Sequence, residues 1–194
     1  MTNVPLLFMD DARFDLVDRF MAETKALRAR GTTFTRAYIT TPVCAPSRAA
    51  LLYGQHGIKT QILDHQLNAY PDAIAAGRWS HTNLGAWVKA AGYETCLLGK
   101  YHSDVPAPPP GSGWDLVRAV HPQQSHRGGS VIDENGNTST QDAFHLHSQR
   151  DDAIAFIENA TSDWFLYWPT STPHNPFGLT RESVFAYERF DTPT

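Results

Sequence analysis

Three stretches of this chain carry apolar residues in succession: VPLLFM at 4–9, TCLLG at 95–99 and WFLYW at 164–168. Successive side chains of a strand point to opposite faces, so a strand with one wet face needs only every second residue apolar. A run apolar throughout is dry on both faces, which is the position of a strand inside a parallel sheet covered by helices. Helical periods separate the runs, and βα alternation of this kind predicts an α/β fold with a mostly parallel central sheet and helices on both faces. No internal repeat or second domain is apparent, and 194 residues with 41% hydrophobic content suffice for one core.

Period and punctuation place the remaining elements. Residues 14–30 carry a broken helical period through Phe20, Met21, Ala26 and Leu27, with Gly31 as its stop. TTFTRAYI (32–39) alternates and reads as a strand, and SRAALLYG reads as a helix ending at Gly54. The 56–80 region gives no element. Thr82 or Asn83 caps a helix that turns Leu84, Trp87, Val88 and Ala91 inward and stops at Gly92. VPAPPPGSGW is a loop, and the polar 121–142 region reads as a surface insertion with DENGN as a turn. A helix over 151–159 should turn Ala153, Ile154 and Ile157 inward ahead of the last strand.

Several function classes are disfavoured. The net charge of −4 is dispersed, and no run of lysine or arginine marks a nucleic-acid or membrane surface. No apolar stretch reaches bilayer length, and MTNVPLLFMDD lacks the basic head and long apolar centre of a secretion signal, so the chain as written is expected in the cytoplasm. Two cysteines form no disulfide framework, and Cys96, within TCLLG, reads as a small buried hydrophobe.

Ligands in open α/β sheets gather beyond the carboxyl ends of the strands. Three such ends carry chemistry: Asp10-Asp11, Lys100 with His102, and His174. Paired carboxylates offer oxygen to calcium or magnesium, although a capping acid pair has the same sequence. Lys100 and His102 would share a face if the strand continued, giving an anion-binding cation beside a proton carrier. His145 and His147 lie between polar segments and read as surface residues. In TPVCAPSRAALLYG, Pro46 suits a helix opening, Ser47 can satisfy free amides there, and Arg48 can point back toward Cys44. A helix N-terminus favours negative charge, so Cys44 is a candidate nucleophile, with a structural cysteine as the alternative.

CAPSRAALLYG resembles the sulfatase signature, C-x-P-S-R followed by a short helix and glycine, and GYETCLLGKYH resembles the second signature of that family, ending G-K-x-H. RGTTFTRAYITTPVC and FLYWPTSTPHNPF fit the same family in order and spacing, and TKALRARGTTFTRAY and GWDLVRA look most like the branch acting on 6-sulfated N-acetylglucosamine. The resemblance implies an alkaline phosphatase-like sulfatase fold and a formylglycine-dependent sulfuric ester hydrolase acting on a sulfated carbohydrate. In that family a formylglycine-generating enzyme, a transient partner, converts the cysteine to an aldehyde. One hydroxyl of the hydrated aldehyde attacks sulfur and the other expels sulfate. Carried over, Asp10, Asp11 and the oxygen gained at Cys44 would bind calcium, with magnesium as the alternative ion. Arg48 would hold the hydrated aldehyde, Lys100 the sulfate oxygens; His102 would take the proton that releases sulfate, and His174 would face the leaving oxygen.

Two departures from the family pattern stand out. Tyr53 replaces a small hydroxyl residue before the closing glycine, and the family's downstream Asp-Asn pair and second lysine have no counterpart after His174, Asp191 lacking an amide neighbour. The expectation is therefore the N-terminal portion of a sulfatase catalytic domain, truncated before the C-terminal subdomain. A formylglycine-dependent phosphonate or phosphate ester hydrolase and an inactive anion-binding module are the alternatives.

Overall fold

A computed structural model describes residues 2–13, 15, 19, 21–64, 82–102, 105, 107–120 and 127–174. The strands are β1 (Val4–Phe8), β2 (Glu94–Gly99), β3 (Leu116–Val120), β4 (Arg127–Asp133), β5 (Thr138–Phe144) and β6 (Trp164–Pro169). The helices are α1 (Ala22–Arg28), α2 (Cys44–Tyr53), α3 (Gly57–Thr60), α4 (Leu84–Ala90) and α5 (His145–Asn159). One sheet takes all six strands in the order β1-β6-β2-β3-β4-β5. The first three pairings are parallel and the last two antiparallel.

The uninterrupted apolar runs of β2 and β6 are explained by a layer on each face, whereas β1, expected to be buried, is an edge strand that leaves Val4 and Leu7 exposed. Leu97, Phe165 and Tyr167 pack with Ala45, Ala49, Leu52 and Trp114 in one cluster. Cys96, Leu98 and Leu166 join Ala153 and the half-buried Phe156 in the other. Adjacent residues of β2 thus serve opposite cores, and each fully buried leucine contributes roughly 1.5–3 kcal/mol. Trp114 lies over Phe165 and Tyr167 at 6.1 and 6.0 Å between ring centroids. Helix α4 rests on that indole through Gly85, where a Cβ would come within 2.4 Å of it. Asn83 fixes the start of α4, accepting from the Ala86 amide at 3.2 Å and donating to the Ser112 carbonyl at 2.9 Å.

Gly99 sets the edge from which the site is built. Its φ of 108° is one that side-chain-bearing residues rarely adopt, and an added Cβ would lie 2.4 Å from the Pro169 carbonyl oxygen. Backbone strain and overpacking together give Gly99→Ala an expected loss of about 2–4 kcal/mol, readable as a shifted urea midpoint. A midpoint matching wild type would mean that the ends of β2 and β6 can separate at no cost.

Several expectations change. Residues 32–39 form no strand; their alternation leaves Phe34 and Tyr38 at 80% and 89% exposure, and no strand among the described residues pairs with them. Rather than a surface insertion, the 121–142 region contributes β4 and most of β5, which pair antiparallel beyond β3, while DENGN is the turn between them. Helix α5 starts at His145, which is buried, and turns Gln149, Ala153 and Phe156 inward; Ile154 and Ile157 are exposed. In α4, Leu84 and Val88 pack on the core, but Trp87 and Ala91 are exposed. Helix α1 buries none of its residues; Phe14 and Phe20 lie outside the described set. Among the described residues no helix is long and apolar enough to cross a membrane.

Candidate active site

The C-terminal ends of β1 and β6 are joined by main-chain bonds, Thr170 N–H to Phe8 O at 2.8 Å and Asp10 N–H to Thr172 O at 3.1 Å. Asp10 is thereby held at the sheet edge with its carboxylate buried. Asp11 follows in the left-handed region, φ 57°, which turns its side chain outward, with Oδ2 3.5 Å from His174 Nε2. The β2 end delivers Lys100, whose amide donates to Pro169 O at 2.7 Å and whose Nζ lies 2.5 Å from Asp10 Oδ2.

Helix α2 completes the group. It opens at Cys44, with Val43 as an N-cap lacking a side-chain hydrogen bond, and closes on Gly54 in the left-handed conformation. Cys44 is thus its first residue and Pro46 lies in its opening turn, as expected, while Ser47 is one turn in, its amide donating to Val43 O at 3.1 Å. Arg48 is fully buried and points to the strand ends, not back along the helix to Cys44. Its Nη1 donates to Lys100 O at 2.5 Å, Nη2 lies 3.2 Å from Asp10 Oδ1 and 3.5 Å from Thr170 O, and the guanidinium sits 5.3 Å over the Phe8 ring. Tyr53, the departure at the helix end, is absorbed into the core, its hydroxyl 3.2 Å from that of Tyr101.

Ligand atoms of Asp10, Cys44 and His174 all lie within 4.8 Å of one another. Asp10, Asp11, Cys44 and Ser47 line a cleft of about 430 Å³ whose apolar wall includes Ile39 and Pro42. A second cleft of about 330 Å³, lined by Glu94, Arg118, Asp152 and Phe156, lies among the β2 and β3 starts and the α5 C-terminal half, away from these groups. Lys100 and His102 do not form a strand-face pair, because β2 stops at Gly99; both are buried, His102 beside Tyr101 with ring centroids 6.4 Å apart. Sequence reasoning missed Phe8 and Thr170, whose ring and carbonyl contact Arg48; as the last residue of β1 and the first beyond β6, they carry no signal of their own.

Burial pushes the Cys44 thiol above its ordinary pKa, and Asp10 and Asp11 add to that push while Lys100 opposes it. A thiolate nucleophile is therefore disfavoured, against the sequence expectation for a helix N-terminus. Burial would also raise Asp10, but Arg48 and then Lys100 outweigh it and hold the carboxyl below its usual value. A depressed folded-state pKa contributes stability that is complete above the unfolded value and is lost as pH falls through the folded one. Urea-derived stability should accordingly decline below about pH 4, and Asp10→Asn should flatten that decline. An equal acid slope in both proteins would remove Asp10 as its source.

The donor chemistry fits a hard divalent cation in part. The Asp10 and Asp11 carboxylates supply oxygen, whereas Sγ of Cys44 is soft and fits only once oxygen replaces it.

A family model described as Sulfatase matches residues 2–194. N-acetylgalactosamine-6-sulfatase of Homo sapiens is 36% identical over 111 residues, 52% of this chain and 21% of its own length. N-acetylglucosamine-6-sulfatase of Homo sapiens is 24% identical over 208 residues, covering 98% of this chain and 38% of the relative. A structure solved in complex with its substrate D-glucosamine-2-N,6-O-disulfate superposes with a TM-score of 0.80 at 18% identity, covering 99% of this chain and 39% of that one. The chain thus spans less than half the length of these relatives. With the family model matching nearly every residue, and with the two signature segments meeting at one sheet edge, the chain belongs to the sulfatase family.

Proposed function

We propose that the protein is a sulfuric ester hydrolase acting on a sulfated carbohydrate, with formylglycine made from Cys44 and a divalent cation, calcium or alternatively magnesium, at Asp10 and Asp11. The observation that carries this reading is the placement of a protonated, half-buried thiol beside two carboxylates and a buried ammonium. Such a thiol is a poor nucleophile and a poor ligand for a hard cation, and an oxygen function at that position removes both mismatches. The substrate class is supported by relatives named for 6-sulfated hexosamines and by the disulfated glucosamine bound in the superposed structure.

The cation, when bound, would make an oxygen on residue 44 more acidic and offset negative charge in the cleft. The chain's own residues would divide the rest. Lys100 would supply positive charge to the sulfate oxygens. Arg48, immobilised by two carbonyls, would keep Asp10 ionised and aimed at the cleft. His102 would take the proton whose loss releases sulfate, and His174, beside Asp11, would face the leaving oxygen.

The test is to co-express the chain with a formylglycine-generating enzyme, weigh the peptide containing Cys44, and compare turnover of aryl sulfate and aryl phosphonate esters. A formylglycine mass with sulfate turnover dominant is expected. Dominant phosphonate turnover would move the assignment to that ester class, and an unchanged thiol with no turnover would leave an anion-binding module.

A further inference from the structure

Both oxygens of Asp10 are engaged, Oδ1 with Arg48 Nη2 at 3.2 Å and Oδ2 with Lys100 Nζ at 2.5 Å. A divalent cation on this carboxylate would share it with two positive charges, and at such separations in a buried site like-charge repulsion is strong. One of the two must yield. Arg48 is enclosed: it is fully buried, donates to the carbonyls of Lys100 and Thr170, and lies against Phe8, so displacing it would strand a guanidinium in the core. Lys100 is held through its main chain, the amide on Pro169 O and the carbonyl on Arg48, and among the described residues its ammonium has one hydrogen-bond partner, Asp10, reached on a flexible four-carbon stem.

We propose that Lys100 is a displaceable counter-ion: its ammonium neutralises Asp10 in the cation-free protein, and cation binding drives it off the carboxylate into the cleft, where it becomes the anion-binding group. The inference rests on the cation site proposed above and adds an order to it. The cleft presents the carboxylates of Asp10 and Asp11, and neither Lys100 nor Arg48 lines it. An anion approaching before the cation meets the exposed Asp11 carboxylate and an ammonium already committed to Asp10; one approaching afterwards meets the cation and a released ammonium. The two ligands should therefore bind with positive, reciprocal coupling.

Calorimetry with calcium chloride and sodium sulfate on the whole chain co-expressed with a formylglycine-generating enzyme, so that residue 44 carries oxygen, and on Lys100→Met prepared the same way tests this. Calcium should strengthen sulfate binding to wild type on the order of tenfold, and sulfate should strengthen calcium binding by the same factor. Lys100→Met should bind calcium more tightly than wild type and lose the coupling to sulfate. Because removing any nearby positive charge favours a cation, a second readout follows the ammonium itself. The chain has four lysines, so the side-chain CεH2 NMR signal of Lys100 can be assigned by its loss in Lys100→Met. It should shift on calcium addition, while those of Lys25, Lys59 and Lys89 stay in place. Calcium bound equally well by both proteins, or bound by wild type with no shift at Lys100, would overturn the displacement and leave the cation site standing. No calcium binding by either protein would overturn the cation site and the displacement together.

Discussion

Arg48→Met should lower folding stability by about 3–5 kcal/mol, the range measured when one partner of a buried ion pair is removed. The guanidinium joins α2 to the carbonyls of Lys100 and Thr170, and it faces Asp10 Oδ1 as well. Methionine fills similar volume and keeps the contact with Phe8, so the loss isolates charge and hydrogen bonding from packing. It leaves the Lys100 carbonyl without its short bond, and the Asp10 carboxylate with one cation in place of two. The 3.5 Å approach to Thr170 O is long, and most of the effect should come from Lys100 O and Asp10. Urea unfolding followed by two probes measures it. A loss below about 1 kcal/mol, typical of an exposed pair, would mean that solvent reaches this network and that Arg48 is not its anchor.

The second large effect is chemical. Cys44→Ala should leave the fold intact and abolish turnover, with a loss on the order of 10³-fold or more, as when a covalent nucleophile is removed. The thiol is half-buried, and although Asp10 loses its hydrogen bond with the thiol it keeps both of its cations, so no charge is left unpaired. The comparison with Arg48→Met is informative because that substitution acts on the same carboxylate from the protein side. Cys44→Ala should match wild type in urea midpoint and fail in turnover. Retained turnover would place the nucleophile elsewhere, and a collapsed midpoint would make Cys44 a packing residue.

The parallel centre of this architecture could be read from the residues because few folds accommodate strands that, like β2 and β6, are dry on both faces; β1 read the same way but lies at the sheet edge with Val4 and Leu7 exposed. The positions of Asp10, Lys100 and His174 followed from those runs, since a residue just past a parallel strand emerges at the sheet's C-terminal edge. Illegible features depended on neighbours distant in sequence. Arg48 looked like a partner for Cys44 because the two are four residues apart on a helix; its acceptors are main-chain oxygens at positions 100 and 170, which leave no trace in side-chain pattern. The β4–β5 hairpin was hidden by composition: GGS and TSTQD lack the apolar alternation of a packed strand, and these strands form the edge opposite β1. The alternation in 32–39 misled for the converse reason, offering strand-like residues where no described strand pairs with them. On α5, two isoleucines suggested an inner face that is in fact occupied by Gln149, Ala153 and Phe156.

The clamp on Arg48 has a bearing on how this site can diversify. Its hydrogen-bond acceptors belong to the peptide backbone, so the residue identities at 100 and 170 are not what grips the guanidinium. A substitution at either place that preserves the local main-chain path keeps both carbonyls on the guanidinium, whatever side chain it brings. Inherited variation can then exchange either side chain while the structural keystone persists, so the grip on the guanidinium is insulated from what happens at those two positions.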